Sequence, residues 1–97
     1  MSTLFILSHA PHTDPAQART VKLAREGDGI LLIEDGVYAA APIDHPLAEA
    51  LAAASERGVA LYALQPDLRA RGIAADMQAV DYGGFVDLIE SYERSVH

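Results

Sequence analysis

The sequence contains no cysteine among its 97 residues. Without a thiol the chain forms no disulfide, gives no thiolate to a metal ion and presents no cysteine nucleophile. Whether the protein works in an oxidising or a reducing compartment therefore cannot be inferred from cysteine pairing.

Basic residues are also few. Seven Lys and Arg residues against fourteen Asp and Glu residues give a formal net charge of −7. A chain of this charge repels phosphate backbones, so we expect no direct binding to nucleic acid. The closest basic pair, Arg69 and Arg71, is too small to form a binding patch.

Long apolar runs are missing as well. No run approaches the roughly 18 residues that a membrane-spanning helix needs. The N-terminal residues 1–4 include no basic region of the kind that begins a signal peptide. We therefore expect a soluble cytoplasmic protein that does not insert into a membrane, with residues 1–97 forming a single domain around one core.

The sequence does contain a short, wholly apolar run, Ile30 to Ile33, bounded by turn signals at 27–29 and 34–36. Such a run is typical of a strand buried on both faces of a parallel sheet. Further strands are predicted at 3–7, 59–64 and 77–80. Helices are predicted at 15–25, from 44 or 45 to 58, at 68–71 and after Asp81, which we expect to be the N-cap.

This alternation predicts an α/β fold with a mostly parallel sheet and right-handed crossovers. Residues 37–41 fit either a short helical turn or an extended link. In the last helix, Phe85, Leu88, Ile89 and Tyr92 have the i, i+3, i+4, i+7 spacing of a core face. The tail, 93–97, is polar, and we expect it to fray.

Possible ligands for a metal lie in the first loop, at His9, His12 and Asp14. Their spacing is not that of a structural zinc site, which needs four ligands, so we expect no metal here. We interpret Asp14 as the N-cap of a helix that starts at Pro15. His9 remains a possible general base, but no nucleophile is visibly paired with it.

Two acidic residues, Glu34 and Asp35, end the central strand. Neighbours in an extended chain face opposite sides, so they do not form a shared-proton pair. Either both are solvated at the strand end, or Asp35 faces a partner or the rim of a pocket. The glycine pairs at 27/29 and 83/84 lack the pattern of a phosphate-binding loop, and we expect no cofactor.

Three segments together resemble the DsrH/TusB family: EGDGILLIEDGVYAA at 26–40, LYALQPDLRARG at 61–72 and VDYGGFVDL at 80–88. Residues 4–11 fit the family's opening strand and loop less strictly. The resemblance implies a flavodoxin-like, three-layer α/β/α fold. It also implies a heterohexameric sulfur-relay complex with DsrE/TusD-like and DsrF/TusC-like subunits.

The resemblance implies a non-catalytic subunit that supports 2-thiolation of the tRNA wobble uridine. A DsrEFH-type role in dissimilatory sulfur oxidation is the alternative. Some relatives hold a cysteine in the first helix, at about the position of Thr20. A hydroxyl cannot hold a persulfide, so the threonine favours the Tus-like branch.

From these patterns we expect six residues at a partner interface or pocket rim: Thr20, Asp35, Gly36, Tyr38, Asp67 and Arg71. Two other functions stay open. One is a stand-alone small-molecule binder using the strand ends near His9, Asp35, Asp67 and Asp81. The other is an acid–base enzyme centred on His9 or Asp35. The apolar stretch 37–43 predicts an exposed patch and self-association of the isolated chain.

Overall fold

The apolar runs of the sequence form the central strands, and most segments between the strands form helices. The structure is a computed structural model that describes residues 2–97. In chain order its elements are β1 (Thr3–Leu7), α1 (Ala16–Leu23), β2 (Gly29–Leu32), a 3-10 helix (Glu34–Ala40), α2 (Ala48–Glu56), β3 (Ala60–Leu64), α3 (Gln65–Ala70), β4 (Gln78–Val80), α4 (Tyr82–Ser91) and β5 (Arg94–Val96). None of the helices in residues 2–97 has the length and apolar character to cross a membrane.

The strands form one parallel sheet in the order β4-β3-β2-β1-β5. The chain steps in one direction from β1 to β4, so right-handed crossovers place α1, α2 and α3 on the same face. It then returns across the whole sheet to β5, which places α4 on the opposite face. The predicted α/β/α fold class with a parallel sheet is confirmed.

The central strand β2 is buried on both faces, as predicted, with Ile30 and Leu31 fully inaccessible. Ile30 packs into a core under α1 and α2 that includes Val21 and Leu51. Leu31 packs on the other side into a smaller core that α4 covers. The predicted core face of α4 is confirmed: it places Phe85, Leu88, Ile89 and Tyr92 against this second core.

Asp28 fixes the turn that leads into β2. Its Oδ1 accepts a hydrogen bond from the backbone N of Thr3, and its Oδ2 accepts one from Arg25 N, both over 2.9 Å. Gly27 has φ 92°, a left-handed conformation that glycine adopts without strain. The buried carboxylate thus joins the start of β1 to the turn before β2.

The polar tail is ordered, so the expectation that it would fray is wrong. Residues 94–96 form β5, which pairs in parallel with β1 and sets Thr3 opposite Arg94. Before this strand, the backbone N of Ser2 donates to Glu93 Oε1 over 2.8 Å. The open edge of β1 offers hydrogen bonds to any extended segment that reaches it, whatever the polarity of that segment.

The stretch 37–43 covers the protein's own core only in part, so the expected exposed apolar patch is present in part, and self-association of the isolated chain stays a prediction. Most of it lies in the 3-10 helix, which corresponds to the helical alternative. Val37 and Ala40 are fully buried, while Tyr38 and Ile43 are exposed by 44% and 67%. A helical turn buries one side of such a segment. The sequence did not indicate this, because the segment has no regularly spaced polar residues that mark a solvent-facing side.

Candidate functional site at the carboxyl edge of the sheet

Polar side chains gather where the strands end. Because all strands are parallel, their carboxyl ends share one edge, which is the usual place for sites in open α/β sheets. Two groups form there. One follows β2 and β3 and contains an arginine held by carboxylates. The other follows β1 and β5 and surrounds a cavity.

Arg71 is the centre of the first group. It follows α3, and its Nε donates to Asp35 Oδ1 over 3.0 Å, while its Nη2 lies 2.9 Å from the same oxygen. Its Nη1 donates to the backbone oxygen of Asp67 over 3.2 Å. The guanidinium carbon lies 6.0 Å from the centre of the Tyr38 ring, within reach of a cation–π contact. Arg71 therefore joins α3 to the 3-10 helix.

Asp67 strengthens this connection from the first turn of α3. Its Oδ2 accepts a hydrogen bond from the backbone N of Glu34 over 2.6 Å. Glu34 has φ 50°, a left-handed conformation that is uncommon for a residue with a side chain. The carboxylate of Asp67 thus holds the chain in the sharp turn by which it leaves β2.

Gly36 lies beneath the cluster and is buried. A Cβ atom at this position would collide with the carbonyl oxygen of Leu7 and lie 2.9 Å from its carbonyl carbon. Gly36 does not have a positive φ, so its backbone conformation is not what requires a glycine there. The glycine is required because the 3-10 helix packs directly on the end of β1.

The first group presents a fixed surface and no free acid–base pair. The side chain of Asp35 is 60% exposed and that of Arg71 is 23% exposed. Both carboxylates of the group already accept hydrogen bonds. Asp35 and Asp67 are both engaged with Arg71 or the backbone, whereas an exposed tyrosine beside an ordered arginine is typical of protein interfaces.

The second group surrounds a cavity of about 210 Å³ between the ends of β1 and β5 and the start of α1. Its polar lining consists of Ser8, His9, Asp14, Gln17, Thr20 and His97. Thr20 thus lies apart from the other five predicted site residues. It is on the opposite side of β1 from the first group, which is centred on Arg71. The hydroxyl of Thr20 donates to the backbone oxygen of Ala16 over 3.3 Å.

His9 and Asp14 share a hydrogen bond at the cavity, with Nδ1 and Oδ2 2.9 Å apart. The hydrogen bond from His9, followed by the one from the backbone of Ala16, lowers the pKa of Asp14 below its ordinary value. Asp14 Oδ1 accepts that second bond over 3.0 Å. The N-cap of α1 is Pro15, and no side-chain capping bond is made there, so the prediction that Asp14 is the N-cap is wrong. Asp14 precedes the cap and instead binds the backbone of the first helical residue.

Three polar residues of this cavity were not predicted: Ser8, Gln17 and His97. His97 Nε2 lies 3.3 Å from Ser8 Oγ, and it is placed there by β5, which the polar tail did not reveal. Gln17 is buried, and its amide exchanges hydrogen bonds with the backbone of His9 over 2.9 and 3.1 Å. Its position one turn before Val21, on the apolar face of α1, is the signal that could have identified it.

A larger cavity, of about 280 Å³, lies between α2, β3 and loop 41–45 and has mostly aliphatic walls. Both cavities are smaller than the roughly 300–1,000 Å³ typical of small-molecule sites. Asp81 is engaged in capping α4, as predicted, since its Oδ1 accepts from Gly84 N over 2.7 Å. In residues 2–97, no three His, Asp or Glu side chains are grouped so that they could hold a metal ion.

Comparisons with known proteins agree on one family. A family model described as DsrH like protein matches residues 9–95. Protein TusB of Serratia proteamaculans is 34% identical over 93 residues, which cover 92% of this chain and 93% of that protein. Protein TusB of Photorhabdus laumondii is 39% identical over 71 residues, which cover 69% of this chain and 70% of that protein.

A solved structure supports the fold. The solution NMR structure of protein Tm0979 from Thermotoga maritima superposes with a TM-score of 0.66 and covers 91% of each chain. The two sequences are 23% identical, so this similarity concerns the arrangement of helices and strands and nothing further.

Proposed function

The chain belongs to the DsrH family, as its three sequence segments indicated, and on this premise we propose that it is a single-domain subunit of a cytoplasmic sulfur-relay complex. The family match over residues 9–95 is the observation that carries this function. The relatives named TusB, which cover most of the chain, favour the Tus branch. In that branch the complex supports 2-thiolation of the tRNA wobble uridine.

The chain itself carries no sulfur in this proposal. Sulfur bound as a persulfide needs a thiolate acceptor, and the sequence has no cysteine. The hydroxyl of Thr20 and the thioethers of Met1 and Met77 cannot replace it. The subunit therefore organises partners that hold the reactive thiols, and it is not an enzyme by itself.

The partners in this proposal are DsrE/TusD-like and DsrF/TusC-like chains in a heterohexamer. We place a contact with them on the surface formed by Asp35, Tyr38 and Arg71. Tyr38 is 44% exposed, and its ring lies beside a guanidinium that Asp35 holds in place. A rigid aromatic residue beside an arginine loses little conformational entropy on binding, as in interface hot spots.

Co-expression with tagged DsrE-like and DsrF-like subunits tests this assembly. We expect the wild-type chain to copurify with both, and Tyr38→Ala and Arg71→Ala to weaken that association. Tyr82→Ala is the matched control, because Tyr82 is also an exposed tyrosine, at 61%, and lies on α4 on the opposite face. Equal association of all variants, or loss with Tyr82→Ala alone, contradicts the proposed interface.

Mass spectrometry tests the sulfur chemistry. After incubation with a cysteine desulfurase and cysteine, we expect no covalent gain of about 32 Da, one sulfur atom, on this chain, because it has no thiolate. A gain that survives denaturation and is removed by thiol reduction contradicts the non-carrier role. Loss of 2-thiouridine from tRNA on deletion of the gene supports the Tus branch, whereas loss of sulfur oxidation alone supports the Dsr alternative.

A further inference from the structure

The cavity beside Thr20 brings together groups from three elements. Ser8 follows β1, Thr20 lies on α1 and His97 follows β5, while Ile6 and Val96 supply aliphatic wall. At one side of this cavity stands the pair of His9 and Asp14. The hydrophobic core does not need such a pair, since the His9 side chain is 64% exposed.

The pair has the arrangement of an oriented general base. Asp14 Oδ2 holds His9 Nδ1 over 2.9 Å, so the free ring nitrogen is Nε2. A carboxylate held in this way fixes the tautomer of the imidazole and stabilises the imidazolium that forms when Nε2 takes a proton. The other titratable group of the cavity is His97, and the charge of Arg19 acts on Asp14 from outside.

This base has no readily ionised partner in the chain itself. Near neutral pH an imidazole, with an ordinary pKa of about 6.5, ionises a thiol at about 8.5 far more readily than a hydroxyl or an ammonium group, whose ordinary pKa values are higher. The chain has no thiol of its own. A space of about 210 Å³ is small enough to suit a single side chain.

Building on the proposed function, we propose that this cavity receives a cysteine side chain of a partner protein and that His9, oriented by Asp14, accepts its proton. The products are a thiolate and an imidazolium that lie side by side. The thiolate attacks the outer sulfur of a protein persulfide. A new S–S bond forms as the donor's S–S bond breaks, and the proton returns from His9 to the departing thiolate, so no oxidant or reductant is needed.

A single reporter thiol tests the cavity without any partner. Because the chain has no cysteine, Thr20→Cys introduces one thiol into the cavity with little change of volume. Iodoacetamide alkylation measured against pH gives its pKa, and circular dichroism verifies folding. A fall of one pKa unit raises the thiolate fraction about tenfold near neutral pH, and we expect Thr20→Cys to show such a gain over Thr20→Cys/His9→Gln.

His12→Gln is the control in the same background, since His12 lies in the same loop and does not line the cavity. We expect it to leave the alkylation profile of Thr20→Cys unchanged, and Asp14→Asn to reproduce part of the His9→Gln effect. An identical profile with and without His9, or an equal effect of His12→Gln, overturns the inference.

The assembled complex separates this inference from the proposed function. We expect the partner's cysteine to be alkylated several times more slowly in complexes containing His9→Gln than in those containing His12→Gln. If both complexes form and their rates are equal, the inference fails and the proposed function stands. If the wild-type chain does not assemble with such subunits, the proposed function fails, and the inference that a partner's cysteine enters the cavity fails with it.

Discussion

Arg71 and Asp35 are separated by 36 positions in the sequence, yet the Nε of Arg71 donates a hydrogen bond to Asp35 Oδ1 over 3.0 Å. This contact joins the segment after β3 to the segment after β2. It fixes the exposed ring of Tyr38 beside the guanidinium. The surface that we propose as an interface therefore depends on one arginine.

Arg71→Ala should destabilise the protein by about 1 kcal/mol, because it removes an exposed ion pair and a hydrogen bond to the backbone of Asp67. Asp35→Ala should cost less than about 0.5 kcal/mol, because the Asp35 carboxylate is well solvated. Urea unfolding measures both, with the exposed Arg69→Ala as control. A loss for Asp35→Ala as large as that for Arg71→Ala would contradict this ranking.

Gly36→Ala should destabilise the protein by about 1–3 kcal/mol, because its new methyl group meets the Leu7 carbonyl and forces the backbone apart. Gly83→Ala is the matched control. At that position the nearest atom to a new Cβ is Asp81 Oδ1, at 3.4 Å. Alanine is the better helix former by about 1 kcal/mol, so Gly83→Ala in α4 should stabilise. Thermal unfolding should show a lower melting temperature for Gly36→Ala and a higher one for Gly83→Ala than for the wild type.

Asp14 should contribute stability only when it is ionised. Its pKa is lowered in the folded protein by the hydrogen bond from His9, so the unfolded chain takes up the proton first as the pH falls. The contribution is therefore present above the ordinary value of 3.8 and is lost as the pH falls through the lower folded pKa. The free energies of unfolding of wild type and Asp14→Asn, measured with urea, should differ at pH 6 and converge as the pH falls well below 3.8.

Tyr92 should make the stability of the protein depend on pH in the alkaline range. Burial, followed by its hydrogen bond with Tyr62, raises the pKa of Tyr92 well above its ordinary value of 10.0. A raised folded pKa gives stability that is fully present below pH 10 and is lost as the pH rises beyond it. The ultraviolet absorbance of wild type minus that of Tyr92→Phe gives the titration of this residue. A midpoint near 10 in the folded protein would contradict the expectation.

Local patterns in the sequence were sufficient for the fold class. The apolar run 30–33 predicted a strand buried on both faces, because a parallel sheet between helix layers hides four consecutive apolar residues. Asp81 and the spacing of Phe85 to Tyr92 predicted α4 and its core face, since both signals act within a few residues. The same segments carried the resemblance to the family.

What the sequence by itself determined was the set of elements that depend on near neighbours. Only the tertiary structure decided the strand order, the pairing of residues 94–96 with β1 and the separation of Thr20 from Arg71. Edge pairing depends on unsatisfied backbone groups of a distant strand, which leave no mark in the polar sequence of the tail. Gly36 and Leu7 show the same limit, since a contact between segments 29 residues apart exists only after the chain has packed.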